Sequence, residues 1–94
     1  MFTTIRLIDH PYAQCCVRKY ADGSIEFISY STLVIHITPS GWLHCFGTFS
    51  QTTRKQIGWF LKEYASTASY HLAKQMFIDR MAYNIYTGEV RPLM

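Results

Sequence analysis

The sequence predicts an α+β domain: an antiparallel β-sheet of about five strands, built from two hairpins and a first strand, followed by two α-helices packed on one face. Three observations lead there. β-Forming segments punctuated by turn signals fill the first half, apolar periodicity of the helical kind begins only after Ser50, and 94 residues suffice for one core but not two. Residues 1–94 are therefore read as a single domain without linker, repeat or low-complexity tract.

Phe2 to Ile8 is rich in β-formers and stops at Asp9-His10-Pro11, where proline biases the residue before it away from helix. Gln14 to Tyr20 and Ser24 to Tyr30 flank Ala21-Asp22-Gly23. A three-residue loop with Gly23 left-handed sets Lys19 opposite Ile25, Val17 opposite Phe27 and Cys15 opposite Ser29 on one side. On the other it sets Cys16 opposite Ile28 and Arg18 opposite Glu26, an expected ion pair; a two-residue turn would put Arg18 against Phe27. A second three-residue loop, Pro39-Ser40-Gly41, joins Thr32–Thr38 to Trp42–Thr48, with proline suited to the first turn position and glycine to the left-handed one. One face of this hairpin then collects Leu33, Ile35, Ile37, Leu43 and Cys45, the better core. The other collects Val34, His36, Thr38, Trp42, His44 and Phe46, with His36 directly opposite His44.

Ser50 caps a helix whose apolar positions Ile57, Phe60, Leu61 and Tyr64 recur at i, i+3, i+4 and i+7, so the helix runs to about Tyr64. Ser66 to Ser69 offers a second capping cluster, after which Tyr70, Ala73, Phe77 and Met81 share one helical face. Gly88 and Pro92 are expected to end regular structure.

Hydrophobic residues make up 49% of the chain and charged residues 16%, a globular composition and not a disordered one. No apolar run approaches the ~20 residues of a membrane span, and the first residues lack the basic-then-apolar pattern of a secretion signal, so a cytoplasmic location without membrane contact is expected. Three cysteines, two of them adjacent as Cys15-Cys16, fit reduced thiols better than a disulfide framework. Nine basic against six acidic residues give a formal charge of +3, short of the dense basic stripe of a dedicated DNA binder.

The first helix carries the most suggestive surface. At about 100° per residue Thr52, Lys55, Trp59 and Lys62 point away from the apolar stripe, offering an indole between two ammonium groups to a protein or nucleic-acid partner. The bland alternative is that Trp59 packs on the second helix, and Gly58 suits either. Arg54 and the amides above Ser50 could also receive a phosphate, although serine and threonine there are ordinary caps. Trp42, His36 and His44 share the non-core sheet face, and two imidazoles opposite each other invite a zinc ion, with His10, His71, Cys15 or Cys16 as further ligands. None of these follows a CxxC or HxxxH spacing, and no cofactor is otherwise expected. Enzymatic chemistry lacks residues: Cys45 reads as a buried hydrophobe, and Asp9, Asp22, Glu26, Glu63, Asp79 and Glu89 are scattered singly.

Across Ser29-Tyr30-Ser31-Thr32, Gly47-Thr48-Phe49-Ser50-Gln51-Thr52-Thr53-Arg54-Lys55-Gln56-Ile57 with Phe60-Leu61, and Asn84 with Thr87-Gly88-Glu89, the chain resembles a group of small uncharacterised proteins carried by bacterial phages and plasmids. The shared positions are turns, caps and core residues, which speak for fold before activity and bring no catalytic residues. The resemblance implies an accessory protein of a mobile element that binds and inhibits a bacterial defence protein, as an anti-CRISPR inhibitor of a CRISPR-Cas effector does. A charge of +3 argues against nucleic-acid mimicry and for docking on the effector protein through Trp59, Lys55, Lys62, Thr52 and Arg54, with Trp42 and His44 as a second face. Two rival readings stand beside it: a nucleic-acid-binding regulator using Arg54, Lys55 and Lys62, and an interaction module stabilised by zinc.

Overall fold

The structure is a computed structural model that describes residues 1–47 and 50–93. Its elements in chain order are β1 (Phe2–Ile5), β2 (Cys15–Tyr20), β3 (Ile25–Ser29), β4 (Thr32–Ile37), β5 (Trp42–Cys45), α1 (Gln51–Tyr64), α2 (Tyr70–Asp79), β6 (Met81–Asn84) and β7 (Val90–Pro92). The strands form one antiparallel sheet in sequential order, with both helices inserted between the neighbours β5 and β6. The sheet thus has seven strands where five were expected. Both missed strands lie after the helices and are only four and three residues long.

The β2–β3 register is the one that the cross-strand pairing predicts, from Cys15 opposite Ser29 to Lys19 opposite Ile25. His36 faces His44 likewise. Both three-residue loops place their glycine at φ +97°, at Gly23 and Gly41. The first strand is shorter than expected. It ends at Ile5, and the chain through His10 to Ala13 turns instead, with His10 N–H donating to the Leu7 carbonyl and Ala13 N–H to the His10 carbonyl. This lets Leu7 leave the sheet and enter the core. The fifth strand likewise stops at Cys45; Thr48, expected as its end, lies outside the described residues.

A bulge corrects the face assignment in β4. Phe27 pairs with Ile35 and Ile28 with Leu33, so Val34 is the extra residue. Val34 is consequently buried with Ile35, whereas Leu33 turns to the other face and is only half-buried.

Each helix begins with a serine cap: Ser50 Oγ accepts from Thr53 N–H and Ser69 Oγ from Leu72 N–H. The second helix ends at Asp79, two residues before the Met81 of the apolar pattern, because Arg80 adopts the left-handed conformation and Met81 starts β6. Gly88 also does less than expected: it closes a turn that returns the chain as β7 alongside β6.

The core lies between the sheet and the helices. Val17, Phe27, Ile35, Ile37 and Leu43 meet Ile57, Phe60, Leu61 and Ala73, with Phe27 and Phe60 stacked at 4.7 Å. A polar chain, buried at Thr53, Ser29 and Gln56, crosses the same interface. Ser50 Oγ donates to Thr53 Oγ1 at 3.2 Å, Thr53 Oγ1 donates to Ser29 Oγ at 3.0 Å, and Ser29 Oγ donates to Gln56 Oε1. Among the described residues the opposite face of the sheet carries no helix.

Candidate functional site

Trp59 is half-buried, not freely exposed as the helical wheel implies. The β1–β2 loop folds over it, stacking the His10 imidazole on the indole at 3.6 Å with planes 11° apart. Glu63, one turn along α1, holds that loop: its Oε1 accepts from Ile8 N–H at 2.9 Å. A carboxylate in the last turn of a helix opposes the dipole, so its partner is useful there. The next residue, Tyr64, packs on Phe60, and its hydroxyl is pushed up to about 12 by burial and then by the nearby Glu63.

The result is an open cleft of about 330 Å³ lined by Ile8, Asp9, His10, Trp59, Lys62 and Glu63. Ile8 is 78% exposed on it, and Tyr12 on the same loop is 94% exposed. A methyl group placed on Gly58 would meet nothing within 4 Å, so the helix beside Trp59 is open as well. Thr52, Arg54, Lys55 and Lys62 are all exposed along α1. Four of the expected contact residues therefore lie outward on α1; of these Lys62 lines the cleft, with Trp59 as part of its wall, while Thr52, Arg54 and Lys55 lie toward the start of the helix, outside its lining. Ile8, Asp9, His10 and Glu63 escaped sequence reasoning, since no local pattern ties residues 8–10 to a helix fifty residues later. Pro11 marks a turn there but not where the turn leads.

Trp42 and His44 lie on the other side of the sheet and cannot join that surface. There Arg91 sits over the Trp42 ring, 3.9 Å from its centroid. His36 and His44 rings lie 6.2 Å apart, and His36 Nδ1 is 3.3 Å from Glu26 Oε2. Among the described residues no three His, Cys, Asp or Glu side chains converge as metal ligands, which leaves the two imidazoles short of a tetrahedral set. His10 is committed to Trp59, and Cys15 and Cys45 belong to the core on the helix side. The expected Arg18–Glu26 ion pair is not formed, although the two residues are in register. Tyr20 Oη donates to Glu26 Oε1 at 2.6 Å, His36 takes the second oxygen, and Arg18 lies over the Phe2 ring at 4.9 Å. Burial pushes both the Cys15 and Cys45 thiols up, away from the thiolate a nucleophile requires. The first turn of α1 is occupied by its own Ser50 cap.

His44 has a lowered pKa, first because it is partly buried and then because of charge at His36 and Arg91. The unfolded chain therefore binds a proton at His44 more readily than the folded one, and folding loses stability as pH falls below the ordinary histidine value of 6.5. The melting temperature is expected to fall between pH 7 and pH 5, and His44→Gln should flatten that slope. An equal slope in the variant would assign the dependence to other groups.

Fold and cleft together define a small α+β domain with a seven-stranded antiparallel sheet, one face covered by helices and a loop-capped aromatic cleft on that side. Residues 10–80 match the model of a family described as being of unknown function, DUF8033, and the chain belongs to this family. No curated protein matches the chain, and no solved structure does. Among the described residues no helix is long and apolar enough to cross a membrane.

Proposed function

We propose that this chain is a non-enzymatic binding protein that docks a larger bacterial protein through the Trp59 cleft and inhibits it. The target class follows from the resemblance to phage- and plasmid-borne proteins: a CRISPR-Cas effector. The observation that carries the docking reading is the juxtaposition of a highly exposed Ile8 with the His10–Trp59 stack and the Lys62 ammonium around one open cleft. Large aromatic and aliphatic surface beside a cation is what an interface hot spot uses, with the apolar groups supplying area and the cation orientation. Ile8 and Tyr12 on the same tethered loop add exposed apolar and aromatic area that a partner would cover.

Purified protein titrated into purified DNA-cleaving CRISPR effectors should suppress cleavage of at least one of them, saturating near equimolar ratio. Trp59→Ala should raise the inhibitory midpoint about 30-fold or more, the equivalent of about 2 kcal/mol. Because Trp59 also supports His10, the companion variant is Ile8→Asp, whose exposed side chain leaves stability within about 0.5 kcal/mol. Cleavage unaffected across all effectors would withdraw the target class. Inhibition that both variants leave intact would withdraw the cleft.

A further inference from the structure

We propose that the helix-free face of the sheet is a platform for single-stranded nucleic acid, with base-stacking positions at Trp42–Arg91 and at Phe2–Arg18–Tyr20. This surface lies across the sheet from the Trp59 cleft, and the inference stands independently of the docking proposed there.

The register defines the face. Phe2 pairs with Tyr20, Thr4 with Arg18, Arg18 with Glu26, Glu26 with His36 and His36 with His44, a continuous row from β1 to β5. Beyond it Trp42 pairs with Asn84 and Ala82 with Arg91. Arg91 and Trp42 stand on β7 and β5, yet the guanidinium reaches the indole, so the two side chains meet above the intervening β6. This explains why Ala82 is fully buried on a face without helices: Trp42 and Arg91 close over it, and only a small side chain leaves them room.

The charges are sorted in the way a polyanion requires. The strands contain three cations, and Lys19 belongs to the helix side, where it lies over Tyr64. The other two, Arg18 and Arg91, are arginines set against aromatic rings on the open face. Glu26 is the one carboxylate in any of the strands, and Tyr20 and His36 occupy both of its oxygens. An arginine lying over an aromatic ring presents a planar cation, which can stack under a base while its outer N–H groups reach a phosphate. Phe2, 46% exposed, adds ring surface at the opposite end. The two clusters are separated by β3 and β4, hence by roughly 14 Å at about 4.8 Å per strand, a span for several nucleotides and not for one.

The test is fluorescence anisotropy with 5′-labelled oligo-dT and oligo-U of about 15 nucleotides, the two arms separating DNA from RNA. Binding of either at low salt is expected, weakening with a log–log slope near −1.4, or about −0.7 for each of two phosphate contacts. Arg91→Ala should weaken binding at least about 5-fold, and Arg91→Lys should recover the salt slope but not the full affinity. Phe2→Ala at the far end should weaken the long oligonucleotide and leave a three-nucleotide one unchanged. Circular dichroism of each variant verifies the fold. Absence of binding by both oligonucleotides at low salt would overturn the proposal. So would affinity that Lys55→Ala and Lys62→Ala reduce while Arg91→Ala does not, which would place the nucleic acid on α1. Sedimentation showing a dimer that Arg91→Ala dissociates, with no oligonucleotide bound, would assign the face to a second copy of the chain and equally overturn it.

Discussion

Phe60→Ala should lower the unfolding free energy by about 3–5 kcal/mol and the melting temperature by at least about 12 °C. Phe60 is fully buried, stacks on Phe27 at 4.7 Å from the sheet side, and on Tyr64 at 5.2 Å along its own helix. Truncation removes the ring from both stacks and leaves a cavity bounded by two elements that secondary structure holds apart, so collapse offers little relief. A domain of this size has only about 5–15 kcal/mol to lose, which puts the variant close to unfolding at growth temperature. Phe77→Ala is the control: the ring is 40% exposed on α2, and its loss should cost under about 1 kcal/mol. Thermal unfolding of the two by circular dichroism decides the matter, and equal shifts would mean that the core is not centred on the Phe27–Phe60 stack.

The hairpins were legible in the sequence because period-two patterning carries its own check. Shifting β2 against β3 by one residue sets Arg18 opposite Phe27, so one register survives, and it is the register found. Period two breaks at a bulge. Nothing in Thr32–Ile37 distinguishes Val34 from Ile35 as the inward residue, since both are β-branched and apolar, and only Phe27 opposite Ile35 reveals the inserted residue. The last two strands failed for another reason. Met81 satisfies the helical spacing of Tyr70, Ala73 and Phe77, and the helix ends before it through Arg80 in the left-handed conformation, a role that a glycine would have announced. The three residues of β7 are too few to show any period.

At the cleft the helix is legible in the sequence and the loop that covers it is not. The periodicity of α1 puts Thr52, Lys55 and Lys62 outward, as found, and puts Trp59 with them. What covers half of the indole is His10, forty-nine positions earlier, brought there because Leu7 dives into the core and Glu63 takes the Ile8 amide. Contacts of that range depend on where the loop crosses the helices, which pattern and propensity do not encode. The Arg18–Glu26 pair fails similarly: register made the two neighbours, but Tyr20 and His36 compete for the same carboxylate, and the guanidinium goes to the Phe2 ring.

Ser29→Ala and Gln56→Ala should each destabilise the fold, by about 1–3 kcal/mol and about 2–4 kcal/mol, and together by about 1 kcal/mol less than their sum. Ser29 and Gln56 are each about 2% exposed and bonded to each other across the interface between β3 and α1, with Thr53 as the third member. Removing the serine hydroxyl leaves the Gln56 carbonyl oxygen without its donor; removing the glutamine leaves the hydroxyl without its acceptor and opens a cavity. Once one partner is gone, loss of the other carries no second penalty for that bond, hence the shortfall from additivity. Ser29→Ala with Gln56→Leu should recover much of the stability, because an apolar pair of similar volume leaves no orphaned group except at Thr53, which keeps Ser50. The value of the polar chain then lies in orientation. Apolar contacts at Ile57, Phe60 and Leu61 tolerate a small rotation of α1, whereas a hydrogen-bonded chain at positions 53 and 56 fixes the angle at which Trp59 meets His10. In the apolar double variant the indole emission of Trp59, read in a Trp42→Phe background, should shift toward that of exposed tryptophan while the melting temperature stays near the background's. Strict additivity of the two alanine substitutions, or an unshifted emission in that variant, would show that apolar packing alone sets the helix.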